Sequence, residues 1–448
     1  MRIARILLAV VLCAAPASAN DPLDDLEDPA DRLRVTELDN GLTVLTLENH
    51  TTPVASFQVW VKAGSRDETR YSGIAHLFEH MMFKGTRRLG PEDFTRYIEG
   101  RGGRLNAYTS RDVTVYFEDV TGETLPLVID LEAERMGHLD LTQELLDTER
   151  EVVLEERRMR TEDSPRGLAF EALLALSFRA HPYRRPVIGW RSDVEAVTVE
   201  ACRRFYETYY SPNNLVVSVV GDFDTEDVLA RIGRAFGPLP PAESIPRSPT
   251  REPEQKGERR DVVHFDVRAP IVTTAWHAPP TGDPDGPALD VLSTILSSGR
   301  SSRLYRRLVN DEQVALSASG GYWELHDAGV FYGMVGVRPD ADVERAEALF
   351  FEEIGRVRDE PVSEAELEKA KRRIEVGLVN GMRTNHALAN RIGGDWVSFG
   401  RVRPLSERLA EIRAVGAEDI QRVARKYLTE QQRSVVRVVP APEEEPAS

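Results

Sequence analysis

Residues 73–83 contain two histidines and a glutamate in the spacing His76-x-x-Glu79-His80. On a helix, His76 and His80 lie one turn apart and point to the same side. Two imidazoles so placed can bind one tetrahedral Zn²⁺, each at about 2.0–2.1 Å. Glu79 is next to His80, so its carboxylate can reach the remaining coordination position without being a ligand. The same spacing also occurs in helices without a metal, so the motif by itself leaves both interpretations open.

A catalytic zinc site takes three protein ligands and keeps one open position. The acidic residues 147–160 predict a second helix that could supply the third ligand. Glu149 and Glu156 are seven residues apart and share a face of that helix, whereas Glu151 and Glu155 fall on the wetter side. The apolar neighbours that mark the inward face around Glu156 are Val152, Val153 and Met159. The pattern favours Glu149 or Glu156 as the inward carboxylate and does not choose between them.

The composition limits the kinds of partner. The chain has 448 residues, of which 41% are hydrophobic and 29% are charged, and its net charge is −17. Nucleic-acid binders concentrate basic charge to displace counterions, so this acidic balance excludes a nucleic-acid partner. The length predicts two to four domains, a range given by about 100–200 residues per domain.

Residues 1–19 have the features of a secretory leader: two arginines, an apolar core at 6–15, and small residues ending at Ala19. The apolar core is shorter than the ~20 residues that a membrane span needs. We therefore expect cleavage before Asn20, a periplasmic or secreted mature protein, and no membrane span. Cys202 is then the one remaining cysteine, which excludes an intrachain disulfide.

Residues 237–260 carry six prolines and many charges but almost no apolar residues. Such a segment cannot bury a hydrophobic face and is typical of a linker. The predicted organisation is an N-terminal domain at 20–236 and a C-terminal domain at 261–439. A Pro- and Glu-rich disordered tail follows at 440–448.

The two halves resemble diverged repeats. Residues 197–220 match residues 415–438 at a shift of 218, and both predict a helix followed by a Val-rich strand. Strands and helices do not alternate regularly, which favours an α+β fold over a doubly wound parallel sheet. The predicted elements of the first half are paired strands at 34–47 and 54–63 with a turn at Asn40-Gly41, helices at 73–84 and 92–98, a strand at 105–119, and helices over 125–159.

His76-x-x-Glu79-His80, followed by Glu149 and Glu156, resembles the zinc signature of the pitrilysin/insulinase metallopeptidases, the inverzincins. In that family the last glutamate follows the second histidine by about 76 residues, which is the separation of Glu156 from His80 here. The resemblance covers nearly the whole mature chain. The length of the chain is similar to that of a short subgroup of the family, which includes the mitochondrial processing peptidases. Further matching segments are Asn106-Ala107-Tyr108-Thr109, His181-Pro182-Tyr183, Tyr210-Ser211-Pro212-Asn213-Asn214 and Gly299-Arg300-Ser301-Ser302-Arg303-Leu304-Tyr305.

The resemblance implies two similar α+β domains, each a mainly antiparallel sheet with packed helices, and a clamshell formed with a second chain. It implies that His76, His80 and Glu156 bind one Zn²⁺ per chain. Glu79 would be the general base, and Glu149 a supporting catalytic carboxylate beside the metal. The implied activity is zinc-dependent endopeptidase cleavage of short or unfolded peptides.

The resemblance also implies that peptide substrate lies along an edge strand around Asn106 and Ala107, joined by backbone hydrogen bonds. One feature departs from the family. Its members carry an arginine and a tyrosine, seven residues apart, in the second domain, where they hold substrate near the zinc. The corresponding residues here are Val309 and Leu316, which cannot donate a hydrogen bond.

The second half also lacks the zinc motif, because a shift of 218 takes His76 and His80 to Thr294 and Ser298. We therefore expect a heterodimer in which a paralogous subunit supplies the missing arginine and tyrosine, or else a homodimer. The alternative function is a non-catalytic structural or peptide-binding subunit on a peptidase fold. The intact set of zinc residues argues against this alternative, and the missing pair argues for it.

Overall fold

The structure is a computed structural model that describes residues 28–442. The predicted leader at 1–19 lies outside these residues, as does most of the predicted tail at 440–448. The described chain is an α+β protein with two sheets, which confirms the predicted fold class. Its strands are β1 (Arg34–Glu37), β2 (Thr43–Glu48), β3 (Val54–Val61), β4 (Arg104–Thr109), β5 (Thr114–Thr121), β6 (Leu215–Gly221), β7 (Arg259–Phe265), β8 (Ile271–Ala278), β9 (Ala315–Trp323), β10 (Gly329–Val337) and β11 (Arg433–Pro440).

Helices cover the sheets and connect most strands. Two of them, α4 and α10, continue directly into π-helical turns at Arg158–Glu162 and Arg306–Asp311. The α-helices are α1 (Ile74–Met81), α2 (Asp93–Glu99), α3 (Leu125–His138), α4 (Gln143–Arg157), α5 (Pro165–Ser177), α6 (Arg191–Ala196), α7 (Val199–Tyr209), α8 (Thr225–Phe236), α9 (Gly286–Ser297), α10 (Arg303–Tyr305), α11 (Val343–Asp359), α12 (Glu364–Asn380), α13 (Asn385–Phe399), α14 (Leu405–Ala414) and α15 (Ala417–Tyr427).

The two sheets share one topology. The first has the order β1-β2-β6-β3-β5-β4 and the second the order β7-β11-β8-β10-β9. In the first sheet β2 and β6 are parallel, and every other pair is antiparallel. In the second sheet β7 and β11 are likewise the one parallel pair. Apart from β1, each strand of the first half therefore has a counterpart in the second.

Two predicted strand assignments were wrong. Residues 105–119 form the hairpin of β4 and β5, because residues 110–113 close a turn in which the Ser110 N–H donates to the Val113 carbonyl. Residues 34–47 contain the predicted hairpin, β1 with β2. Residues 54–63, however, do not pair with β2, because the fully buried β6 lies between β2 and β3. Alternation of polar and apolar residues identifies a strand but not its partner.

Each half sends a helix onto the sheet of the other half. Helix α5 packs on β8, β11 and β7, and its fully buried Leu173 lies in one cluster with Val436 of the second sheet. Helix α13 packs on β6 and β3, and its Leu388 is buried against Trp60. The contact is close enough that a Cβ added to Gly393 would lie 2.2 Å from Trp60 Nε1. The halves are therefore joined through their interiors as well as along the chain.

The predicted linker has no helix or strand before β7 begins, yet several of its side chains are fixed. Leu239 is buried in the first core. Arg247 pairs with Asp67 at 2.8 Å, and the carboxylate of Glu252 accepts the backbone N–H groups of residues 179–181. These contacts hold the segment along the first half. The predicted domain boundaries remain a prediction.

Cys202 is a buried free thiol in α7. Burial raises the pKa of this thiol to about 12, so it stays protonated at neutral pH. Among residues 28–442, no helix combines the length and the apolar character that crossing a bilayer requires.

Candidate active site

Helix α1 begins at a tight backbone contact. Gly73 precedes the helix with φ 86°, and a Cβ added there would lie 2.6 Å from the Ile188 carbonyl oxygen. Only glycine fits both this conformation and this approach. The buried carboxylate of Glu68 accepts the Ala75 N–H at 3.0 Å, close to the positive end of the helix. The start of α1 is thus fixed from two sides.

The other residues of α1 decide which way its polar side chains face. Leu77, Phe78 and Met81 are fully buried in the first core. Because these residues are anchored there, the helix turns His76 and His80 towards α4, which packs against it. This one-turn separation is the one that the sequence predicts.

Helix α4 begins at a Thr142 cap and leads into a π-helical turn just after Glu156. The predicted markers of its inward face were partly wrong: Val153 is buried, but Val152 is 47% and Met159 58% exposed. Glu149 and Val153 face inward, as Leu146 does one turn earlier. Spacings of three and four residues therefore define the face, and Val152 lies just off it.

His76, His80 and Glu156 bring their donor atoms to one point. One ligand atom from each lies within 4.8 Å of the other two. Glu156 Oε2 is 3.3 Å from His80 Nε2 and 3.8 Å from His76 Nε2. Tetrahedral Zn²⁺ with bonds of about 2.0–2.1 Å needs ligand atoms about 3.4 Å apart. The donor set and its spacing fit a zinc ion with one position left open.

Glu79 lies beside this group and takes no part in it. It is 9% exposed, and Thr109 Oγ1 donates a 2.5 Å hydrogen bond to its Oε2. Burial raises the pKa of Glu79, although the bond from Thr109 and the nearby His80 oppose the rise. Thr109 belongs to a segment that matches the family but was not predicted as a site residue. Thr109 lies on the same strand as Asn106 and Ala107, and this position could have identified it as a site residue.

Glu149 contacts His80 from the far side of the ring. Its Oε2 is 3.4 Å from His80 Nδ1, and its Oε1 is 2.9 Å from Lys84 Nζ. Burial opposes ionisation, but the bonds from His80 and Lys84 outweigh it and lower the pKa of Glu149. This contact leaves His80 Nε2 free to face Glu156, which is how an outer carboxylate orients a ligand. Sequence analysis missed Lys84, although it follows His80 by one helical turn.

The surroundings of the two histidines shift their pKa values in opposite directions. Burial, together with the neighbouring His80, lowers the pKa of His76 to about 4. Burial also acts to lower the pKa of His80, but the carboxylates of Glu149 and Glu156 outweigh it and raise that pKa to about 9. The bond from His80 is also the main reason that the pKa of Glu156 is lowered. His76 Nδ1 is buried without a hydrogen-bond partner among the described residues.

The predicted substrate residues lie on an open sheet edge. Asn106 and Ala107 belong to β4, which ends the first sheet and pairs there only with β5. Asn106 is exposed, and its side-chain oxygen accepts the Ala107 N–H at 2.9 Å. Helix α1 packs against this strand, so the edge runs beside the histidines.

Val309 and Leu316 lie in the second half, at the positions where the family carries an arginine and a tyrosine. Val309 is half-buried in the π-helical turn after α10 and packs on the second core. Leu316 lies on β9, the edge of the second sheet, and is 56% exposed. Neither side chain can replace the hydrogen bonds of an arginine or a tyrosine.

Comparison with known proteins assigns the chain to a family. Residues 43–190 match the profile "Insulinase (Peptidase family M16)", and residues 196–374 match "Peptidase M16 inactive domain". "Zinc protease PqqE" of Helicobacter pylori is 32% identical over 409 residues, which cover 90% of this chain and 92% of that protein. The chain belongs to peptidase family M16. Its first match contains every predicted zinc residue, and its second match is to a domain described as inactive.

Two solved structures share the fold. A protease from Helicobacter pylori superposes with a TM-score of 0.88 at 31% identity, covering 91% of this chain and 99% of that one. The periplasmic protease PqqL from Escherichia coli has a TM-score of 0.76 at 21% identity. That match covers 92% of this chain but 48% of PqqL, so the PqqL chain is about twice as long. The fold of this chain is therefore found in nearly the whole of the first structure and in about half of PqqL.

Proposed function

We propose that this M16 chain is a zinc-dependent metalloendopeptidase that cleaves short or unfolded peptides. The observation that carries the proposal is the convergence of His76, His80 and Glu156 at zinc-ligand spacing, with Glu79 beside them. The name of the relative PqqE, a zinc protease, supports the same cofactor and activity. A structural zinc is disfavoured because structural sites are closed by four ligands, usually cysteine or histidine.

In the proposed reaction, zinc held by His76, His80 and Glu156 would supply a Lewis acid and a bound water of lowered pKa. Glu79 takes a proton from the attacking water and passes it to the leaving amine. The hydrogen bond from Thr109 fixes Glu79 Oε2, so Oε1 is the oxygen available for this proton. The raised pKa of Glu79 makes it a stronger base than an exposed glutamate.

Substrate would bind as an added strand on β4, beside Asn106 and Ala107. An extended peptide can hydrogen-bond to the unpaired backbone groups of this edge. Because a folded protein cannot present such a strand, the proposal restricts substrates to short or unfolded peptides. Glu149 would support catalysis indirectly by holding the His80 ring.

We further propose that the working enzyme contains a second, paralogous chain. Val309 and Leu316 leave the second half without the substrate-holding arginine and tyrosine. About half of the longer PqqL chain has this fold, so a unit of this kind can work beside further chain. Size-exclusion chromatography and peptidase assays of this chain alone test the idea. Full activity of a pure homodimer would contradict the heterodimer and favour the homodimer.

We also propose that the mature chain begins at Asn20 and works in the periplasm or outside the cell. The support is the leader pattern of residues 1–19. N-terminal sequencing of protein exported from the native host should give Asn20. An intact Met1 would contradict this proposal.

The test of the peptidase proposal combines metal content with one matched pair of variants. We expect about one zinc per mature chain, as for a three-ligand catalytic site, and chelator-sensitive cleavage of a quenched fluorescent peptide. Glu79→Gln should retain zinc but lose about 10²–10⁴-fold in cleavage, the usual contribution of a general base. Ser297→Ala, 218 residues later in α9, is the matched control and should keep both.

The second candidate function, a non-catalytic peptide-binding subunit, is favoured by the lack of an arginine and a tyrosine at Val309 and Leu316. Zinc without cleavage, in the chain alone and in the complex purified from the native host, would support it. Zinc with cleavage only in that complex would support the heterodimeric enzyme. A chain that takes up no zinc under replete conditions would contradict the peptidase proposal.

A further inference from the structure

A pocket of about 300 Å³ opens beside His76 and Thr109. One side belongs to the proposed catalytic group, so whatever fills the pocket lies next to the reacting bond. Its walls are mainly apolar, and charged side chains stand among them. The apolar residues that line it include Phe170, Leu174, Val187 and Ile188.

Arg111 lines this pocket and has no acidic partner. It is 6% exposed, and its side chain forms no hydrogen bond or ion pair with any residue of the described range. Its guanidinium lies over the Trp323 ring, with the guanidinium carbon 4.6 Å from the ring centre. Burial lowers the pKa of Arg111 to about 10, which still leaves it protonated at neutral pH. A buried guanidinium without a counter-charge is costly and therefore unusual.

The acidic group nearest in sequence is already engaged. Asp112 accepts hydrogen bonds from Tyr183 Oη at 2.5 Å and from the His326 N–H at 3.1 Å. It also pairs with Arg66 at 2.9 Å. Asp112 therefore acts on Arg111 only through its field, and the Arg111 donors remain free.

The other charged residues of the pocket have hydrogen-bond or ion-pair partners. Glu171 is held by Arg157 at 2.8 Å. Arg160 pairs with Glu156 at 2.8 Å, and Arg184 donates to a backbone carbonyl at 2.9 Å. Arg184 is exposed to solvent, so Arg111 is the buried charge of this pocket that lacks a counter-charge, and the pocket carries an excess of positive charge.

We propose that this pocket binds a carboxylate of the peptide substrate through Arg111. The carboxylate belongs either to an aspartate or glutamate beside the scissile bond or to the C-terminus of the peptide. A guanidinium can donate hydrogen bonds to both carboxylate oxygens at once. The apolar walls of the pocket can pack against the aliphatic part of the residue that carries the carboxylate. The proposal rests on the proposed function, and it assigns a specificity-determining role to Arg111.

The competing explanation is structural. Arg111 could simply stack on Trp323 of β9 and tie the two halves together. On that explanation Arg111→Met weakens folding and leaves peptide selectivity unchanged. On ours it changes selectivity, and it costs little stability because no ion pair is lost.

The first test is a binding measurement that needs no catalysis. The mature chain, kept metal-free with chelator, is titrated with two matched pairs of fluorescein-labelled decapeptides. One pair differs by Glu or Gln at the central position, and the other by a free or an amidated C-terminus. We expect the acid member of one pair to bind at least about tenfold more tightly, as for a charge-assisted bidentate contact. The pair that shows the difference identifies the source of the carboxylate.

Variants then locate the effect. Arg111→Met should abolish the difference within the pair, whereas Arg166→Met, an exposed arginine of α5 outside the pocket, should leave it intact. Equal affinities within both pairs for the unmodified chain would overturn the proposal, even if Arg111→Met cannot be purified. So would a difference that survives in Arg111→Met.

Cleavage separates this inference from the function on which it rests. Mass-spectrometric mapping of cut sites in a peptide pool should show acidic residues or free C-termini beside the cut, and Arg111→Met should lose that preference. Cleavage without such a preference overturns the inference but leaves the peptidase intact. Absence of cleavage by the zinc-loaded native complex contradicts the peptidase, and the binding result then decides whether the carboxylate pocket exists.

Discussion

The two halves of this protein have the same sheet topology but different chemistry. Helix α1 lies between β3 and β4, and α9 lies at the equivalent place between β8 and β9. Where α1 presents His76, Glu79 and His80, the residues 218 positions later are the small polar Thr294, Ser297 and Ser298. A shared fold therefore fixes where a helix lies, and the side chains on one face decide whether a metal can bind there.

The halves also differ in the carboxylate that stands before the equivalent helix. Before α1, Glu68 is buried and accepts the Ala75 N–H, and its burial raises its pKa well above the usual value. Before α9, Asp285 accepts hydrogen bonds from three side chains. Burial opposes its ionisation, but those bonds lower the pKa of Asp285 to about 2. The three donors are Arg422, Lys426 and Tyr427.

The largest expected effect tests whether the metal belongs to the first half. His76→Ala removes one of three zinc ligands, so we expect no stoichiometric zinc and no peptide cleavage. Thr294→Ala is the control at the equivalent position and should keep the full zinc content. Metal analysis of both purified variants decides the point. Zinc retained by His76→Ala would break the proposed division between the halves.

The next prediction concerns the exchanged helices. Leu173→Ala and Leu388→Ala each remove a buried side chain from a helix that packs on the opposite sheet. Each should lower the free energy of unfolding by about 2–5 kcal/mol. Because both contacts join the halves, both variants should shift a single unfolding transition, followed by circular dichroism in urea.

Leu316→Ala provides the control, because this exposed leucine should change stability by less than about 0.5 kcal/mol. Two separate transitions, each moved by only one of the core variants, would show that the halves unfold independently. That outcome would contradict the interpretation of α5 and α13 as connections between them.

The smallest expected effect compares the two carboxylates by pH. Asp285 has a depressed pKa, so its contribution is present above about pH 4 and is lost as pH falls towards 2. Asp285→Asn should therefore cost about 1 kcal/mol at pH 7 and progressively less below pH 4. Glu68 has a raised pKa, so its ionisation destabilises the fold as pH rises above its unfolded value.

The stability of the wild type relative to Glu68→Gln should accordingly fall with rising pH. The stability of the wild type relative to Asp285→Asn should instead increase with rising pH. Urea unfolding at several pH values between 3 and 8 measures both slopes. Slopes of the same sign would contradict the assigned pKa directions.

The sequence by itself determined the features that one helix can contain. The positions of His76 and His80 on one face follow from helical geometry, which acts over four residues. The α+β class and the doubled plan followed from local patterns and from the repeat at 218 residues. The family assignment followed from the spacing of the zinc motif and Glu156, and the comparisons confirmed it.

Only the tertiary structure decided the contacts between segments far apart in sequence. Helical spacing left Glu149 and Glu156 equivalent, and packing of α4 on α1 set Glu156 near both His Nε2 atoms and Glu149 behind His80. The insertion of β6 between β2 and β3 and the exchange of α5 and α13 gave no local signal. The free guanidinium of Arg111 also gave no local signal, because the residues around it come from several segments that are distant in sequence. Periodicity reports which face of an element is buried, whereas the partner across that face depends on how the whole chain packs.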